Sequence, residues 1–165
     1  MSKLSLIRTL DETKFALNQK DFDHHKSAYE ELFKTYGQNM SVDDLVRLAQ
    51  ILDDSADVDA MEGIVKFIQY YGTDVVSTVL ARTAVYLAEH APMYGALLFS
   101  SIALAGEKGR NALKASVKTA TPDSRVALQN FMRELASNQR VMNQLSTEEG
   151  LALEQLTREM LSSST

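Results

Sequence analysis

HAPMYGALLFSSIALAG, running from His90 to Gly106, decides how the rest of the chain is read. No Asp, Glu, Lys or Arg lies between Glu89 and Glu107. A helix that is apolar nearly all round belongs inside a core. The stretch therefore reads as a central helix, with the helices on both sides packing against it. It is shorter than the ~20 apolar residues a membrane span needs. It also carries His90, Ser100 and Ser101 and has charges close on either side, so a buried core helix is expected and no membrane association. Pro92 suits a first helical turn, where a missing N–H costs nothing. Gly106 suits a left-handed stop. Gly95 and the pair Ser100–Ser101 are small enough to let a neighbouring helix approach closely.

Working outward, helical periodicity recurs on both sides. Leu4, Ile7, Leu10 and Leu17, with Leu6, Phe15 and Ala16, predict a first helix from about Lys3 to Gln19. A second runs from Asp21 or Asp23 to Tyr36, with Phe22, Tyr29, Leu32, Phe33 and Tyr36 on its apolar face and Gly37 as its stop. Ser41 with Asp44 resembles a capping arrangement for the third. The polar break DDSADVD, Asp53 to Asp59, precedes a fourth helix carrying Met61, Ile64, Val65, Ile68 and Tyr71. Gly72 stops it, and Thr73 or Asp74 caps the fifth. Beyond the central stretch, a seventh helix is expected from Lys108 to Thr119. Thr121–Pro122 opens an eighth in a cap-then-proline pattern. Ser146 with Glu149 forms a capping box for a ninth. The tail, 162–165, is expected to fray.

Helix starts near Ser41, Asp57, Thr73, Ala91, Glu107 and Thr121 are 14 to 18 residues apart. Each interval holds one helix and a short link, and short links make neighbours antiparallel. Two intervals make a hairpin of the size found in helical repeat arrays. The expected fold is all-α: about nine helices in a stack of antiparallel helical hairpins, a short HEAT-like α-solenoid forming a single domain over residues 1–165. The same periods also allow a compact multi-helix bundle.

Composition narrows the chemistry. Cysteine is absent, so no thiol nucleophile, thiolate metal site or disulfide framework is available. That suits a cytoplasmic protein. The N-terminal residues intersperse charges among apolar positions and do not read as a secretory signal. His24–His25 are adjacent, and neighbouring helical side chains diverge by about 100°, so the pair reads as solvated surface and not as a chelate. Asp53 to Ile64 fails as a calcium loop, because Val58 stands where the loop needs Gly and Ile64 where it needs Glu. No phosphate-binding glycine loop, nucleophile elbow or zinc motif is present. The sequence therefore predicts no enzyme, no cofactor and no metal site.

Charge is the most informative feature. Between Ser41 and Glu62 stand seven acids, Asp43, Asp44, Asp53, Asp54, Asp57, Asp59 and Glu62, against the single base Arg47. Lys108, Arg110, Lys114 and Lys118 form a run free of acids. Acids do collect at helix N-termini, where the dipole favours them. That accounts for Asp43, Asp44 and Asp59 but does not require Asp53, Asp54 and Asp57 at one turn. The alternative is an acidic docking surface that steers a basic partner, made of Asp53, Asp54, Asp57, Asp59 and Glu62, with Tyr70 as an aromatic anchor. The net charge of −5 argues against direct nucleic-acid binding.

The segment from Phe67 to Pro122 resembles the HEAT-like helical hairpins of bacterial immunity proteins, which accompany polymorphic toxins and contact-dependent growth inhibition systems. The matching features are Gly72–Thr73–Asp74 at a helix start, an Ala-rich helix ending before Pro92, and ALLFSSIALAG closing on Gly106. The match covers the middle third of the chain. The resemblance implies a non-enzymatic protein that binds one cognate toxin domain, often a nuclease, one-to-one and occludes its active site. The runner-up is a helical scaffold holding a peptide in a groove between hairpins, using Lys108, Arg110, Lys114 and Lys118.

Overall fold

A computed structural model describes residues 1–15 and 18–162. These residues form ten helices and no strand: α1 (Lys3–Glu12), α2 (Gln19–Tyr36), α3 (Val42–Ala49), α4 (Val58–Gln69), α5 (Thr73–His90), α6 (Pro92–Leu104), α7 (Gly106–Thr119), α8 (Pro122–Ser137), α9 (Gln139–Met142) and α10 (Thr147–Ser162). From α2 to α7 the chain stacks helical hairpins, because each helix packs on the next but one: α2 on α4, α3 on α5, α4 on α6, α5 on α7. The C-terminal helices then turn back, α8 onto α5 and α10 onto α6. One core cluster extends from Leu6 to Met160.

The central stretch is α6, enclosed by α4, α5, α7, α9 and α10. Leu98, Phe99 and Ile102 have no exposed surface, and burying side chains of this size stabilises by roughly 1.5–3 kcal/mol each. Gly95 is needed for the close approach the sequence suggests. A Cβ there would lie 2.5 Å from Cζ of Phe131, whose ring meets Phe99 edge-on with centroids 5.7 Å apart. Centrality is shared, however. α5 touches α3, α4, α6, α7 and α8, so the middle of the protein is the α5–α6 hairpin and not one helix.

Local capping explains most boundaries. Ser41 and Asp44 form a reciprocal capping box. Ser146 Oγ accepts from the Glu149 N–H while Glu149 accepts from the Ser146 N–H. Thr121 accepts from the Ser124 N–H ahead of Pro122.

Five expectations need correction. The first helix ends at Glu12, not Gln19, because Asn18 caps α2 by accepting from the Asp21 N–H. The expected core positions 16 and 17 lie outside the described residues. The polar break is shorter than Asp53 to Asp59: the fourth helix starts at Val58, with Asp57, near which the start was expected, as its cap. Neither Thr73 nor Asp74 caps α5: Gly72, at φ 82°, makes the turn, and Thr73 is the first helical residue. The seventh helix begins at Gly106, which has the left-handed φ of 62° but opens α7 directly. The four-residue α9, capped by Asn138, brings the helices to ten where nine were expected. Of the tail, residues 163–165 lie outside the described residues, and Ser162 closes α10.

His25 is a sixth correction. It is 4% exposed, while His24 faces solvent. The inward face of α2 runs through His25, Ala28 and Leu32, and Phe33 is left half exposed.

Candidate functional site

The loop from Asp53 to Asp57 joins α3 to α4, and its carboxylates have local tasks. Asp53 accepts from the Ser55 N–H at 2.9 Å and the Ser55 hydroxyl at 2.5 Å. Partial burial opposes its charge, but these bonds, with Lys14 and His90 nearby, hold its carboxyl below the usual range. Asp57 caps α4 by accepting from the Ala60 N–H at 3.0 Å, and its own N–H donates to the Lys14 carbonyl at 3.1 Å.

Asp54 is the keystone of the loop. Its N–H donates to the His90 carbonyl at the end of α5, at 3.0 Å. Its carboxylate accepts from the Met93 N–H at the start of α6, at 2.9 Å. α6 has no side-chain cap of its own, since Ala91 stands at the cap position and Pro92 has no N–H. Asp54 supplies that cap from 39 residues away. Desolvation pushes its carboxyl above the usual range, although the Met93 and Tyr94 N–H groups work against the shift. This is the task the sequence could not assign: the Asp54 carboxylate caps α6, while the backbone N–H groups of Asp54 and Asp57 tie the turn to the carbonyls of His90 and Lys14.

Beside this clasp lies an open cleft of about 430 Å³ between α4, α6 and α9, lined among others by Asp54, Val58, Glu62, Tyr94, Leu97, Arg140 and Val141. Tyr94 is 5% exposed. Its hydroxyl is pushed up to about 12, first by burial and then by the charges of Asp54, Glu62 and Asp57. Those three carboxylates therefore share one electrostatic neighbourhood. Glu62 also holds Lys66 at 3.2 Å.

The six predicted contact residues do not form one surface. Asp54 and Glu62 line the cleft with Tyr94, and Asp57 caps α4. Asp53 closes on Ser55 within its own turn. Asp59 lines a smaller slot of about 110 Å³ with Phe22, His25 and Tyr29. Tyr70 follows the far end of α4, roughly 20 Å from Asp57 by helical rise. There it is 62% exposed and meets Phe33 edge-on at 6.1 Å, beside a groove of about 360 Å³ at the α2–α3 turn. Tyr71, its neighbour, is tied inward: its hydroxyl donates to the Gly37 carbonyl at 2.6 Å. Sequence reasoning missed Tyr94 and Arg140. Tyr94 sits within the apolar run and reads as core, and the turn carrying Arg140 has no periodicity to mark it.

No family model, curated protein or solved structure matches this chain.

Among the described residues no group of three or more His, Asp or Glu side chains is placed to hold a metal ion. No helix among them is long and apolar enough to cross a membrane. Of the basic run, Arg110 is held by Glu159 at 3.3 Å. Lys108, Lys114 and Lys118 make no ion pair among the described residues.

Proposed function

We propose that this chain is a non-enzymatic binding protein that neutralises a basic protein partner through the cleft between α4, α6 and α9. The observation carrying this reading is that Asp54 and Glu62 line, with Tyr94, an open cleft that also has apolar walls. A negative cleft raises the encounter rate with a positive partner, and its apolar walls slow departure. The resemblance to immunity proteins narrows the partner to a cognate toxin domain bound one-to-one in the cytoplasm. A nuclease is the favoured class, because an active site built to hold phosphates is basic.

Co-expression with the product of the adjacent upstream reading frame, followed by sizing and a growth-rescue assay, tests this reading. A one-to-one complex that protects the cell is expected. Glu62→Lys is the informative variant: among the described residues Glu62 has only the exposed Lys66 as partner, so reversing it disturbs the cleft and spares the clasp. Asp54→Lys or Asp57→Lys would confuse binding with folding. An unweakened complex with folded Glu62→Lys would remove the cleft from the interface. The scaffold reading finds its support in half-exposed Phe33 and exposed Tyr70 beside the groove at Gly37 to Asn39. It predicts that Tyr70→Ser, not Glu62→Lys, breaks the interaction.

A further inference from the structure

The N-terminal helical hairpin meets the rest of the protein along a light seam. α1 packs chiefly on α2, and α2 packs on α4 more lightly than α5 does on α6, α7 and α8. Leu6, Leu10, Ala28 and Leu32 bury the hairpin's inner face. Polar ties also cross to the body. Lys3 pairs with Asp44 of α3, the Tyr29 hydroxyl donates to the Gly63 carbonyl of α4 at 3.1 Å, and the Asp57 N–H donates to the Lys14 carbonyl. His25 is buried in this seam, on the wall of the slot it shares with Lys26, Tyr29 and Asp59.

Hydrogen bonding fixes which ring nitrogen of His25 holds the proton. The Thr13 hydroxyl donates to the Thr9 carbonyl at 2.7 Å, so it accepts from the Nδ1–H of His25 at 3.0 Å. Nε2 is left with the lone pair, shut off from solvent and without a hydrogen-bond partner among the described residues. A proton placed there becomes a buried donor with no acceptor, which the folded state disfavours. The surrounding charges do not relieve it. Asp57 is the acid that bears on the ring, and its carboxylate is engaged by the Ala60 N–H. Lys26 and Asp59 line the slot without bonding Nε2. Leu10 and Thr13, which face the ring from the α1 side, are not ionisable. Burial outweighs Asp57 and the Leu10 carbonyl and lowers the ring's pKa from 6.5. Asp44 behaves oppositely: burial opposes its charge, but bonds from Lys3 and Ser41 hold its carboxyl below the usual range. The tie between α1 and α3 therefore stays charged in mild acid.

We infer that the α1–α2 hairpin is an acid-released flap: a proton on His25 Nε2 is accommodated by lifting the hairpin off α4 as a unit, while the α5–α6 hairpin and the helices around it stay folded. Once lifted, the ring is solvated and takes up its proton at about 6.5. The open state thus gains on the closed one as pH falls below that value. With the closed ring neutral throughout, the open population rises roughly tenfold between pH 7.5 and 5.5. Lifting also takes the Lys14 carbonyl away from the Asp57 N–H. Asp57 caps the helix that carries Val58 and Glu62, so one wall of the cleft loosens with the flap. The device operates whatever the cleft binds.

The test is amide hydrogen exchange on the full isotope-labelled chain at pH 7.5 and 5.5, corrected for intrinsic rates and repeated at low urea concentrations. Amides of α1 and α2 should exchange together, through an opening with a weaker urea dependence than that of α5 and α6. That opening should become roughly tenfold more populated at the lower pH. His25→Leu should retain the shared opening and lose its rise with acid. Two results would overturn the inference. In one, the α1 and α2 amides follow the same urea dependence as those of α5 and α6 at both pH values, so the hairpin opens only with the whole molecule. In the other, the rise persists undiminished in His25→Leu, so another group drives it. Should that variant fail to fold, the ring signals of His25 in the parent decide: a midpoint below 6.5 upholds the flap, and one at or above 6.5 overturns it.

Discussion

Replacing Asp54 by alanine tests the clasp directly. The change removes the acceptor at 2.9 Å from the Met93 N–H and leaves the first turn of α6 without a side-chain cap. Losing a capping acceptor costs about 0.5–2 kcal/mol, and losing a carboxylate from a helix N-terminus about 0.3–1 kcal/mol. Against this, desolvation raises the carboxyl's pKa, so removing the charge recovers part of the loss, a small part because Asp54 stays open to solvent. The balance is a destabilisation of roughly 1–2 kcal/mol. For a chain of this length each kcal/mol moves the midpoint by about 2–4 °C, so Asp54→Ala should melt about 2–8 °C lower by circular dichroism. Asp54→Asn keeps an acceptor that caps nearly as well and should stay within about 0.5 kcal/mol of the parent. The pH dependence has a definite sign. With its native pKa raised above about 3.8, Asp54 keeps its proton longer in the native state, so its contribution falls as pH rises through that window. The parent should therefore gain on Asp54→Asn as the solution is acidified towards pH 3.8. If Asn costs as much as Ala, the charge and not the acceptor holds α6. If Ala costs nothing, the clasp is not structural.

Two further substitutions probe the core. His25 is buried with Nδ1 3.0 Å from the Thr13 hydroxyl and Nε2 without a partner among the described residues. Desolvation holds its pKa below 6.5, outweighing the nearby charge of Asp57. The unfolded chain takes up this proton first, so stability should fall as pH drops below about 6.5 towards the lowered native value. Urea midpoints at pH 7.5 and 5.5 should show that fall in the parent, and His25→Leu should flatten it; an equal slope in both would clear His25. Gly95→Ala would place a methyl 2.5 Å from the Phe131 ring, an overpacking cost of about 1–3 kcal/mol. Phe131→Leu in the same chain should recover part of that loss. Strict additivity of the two changes in a double-mutant cycle would show that the contact is not the cause.

The sequence revealed the helices better than their partners. Caps are local, so Ser41–Asp44, Thr121–Pro122 and Ser146–Glu149 could be read directly. The hairpin stack followed from link lengths. The task of Asp54 could not be read, because its two partners lie at His90 and Met93, on elements that meet it only after folding. The same long reach gives Asp54 a structural task beside any docking one: an acid that looks unexplained in its own turn can be capping another helix. His25 was misjudged for a related reason, since adjacent histidines carry no sign of which one faces α1. For the cleft, Glu62 and Asp54 were legible as acids. Tyr94 was not, because a tyrosine inside an apolar run looks the same whether or not its hydroxyl opens into a cavity.

The bend between α6 and α7 limits what the chain can accept by way of length. Only Ala105 separates the two helices. Gly106 takes a φ of 62°, and a Cβ on Gly109 would lie 1.9 Å from the Ile102 carbonyl oxygen. Adding a single residue here would rotate everything downstream by about 100° and swing Leu113, fully buried in the folded protein, out of the core. Tags, labels and loop grafts should therefore leave the α6–α7 bend at its present length.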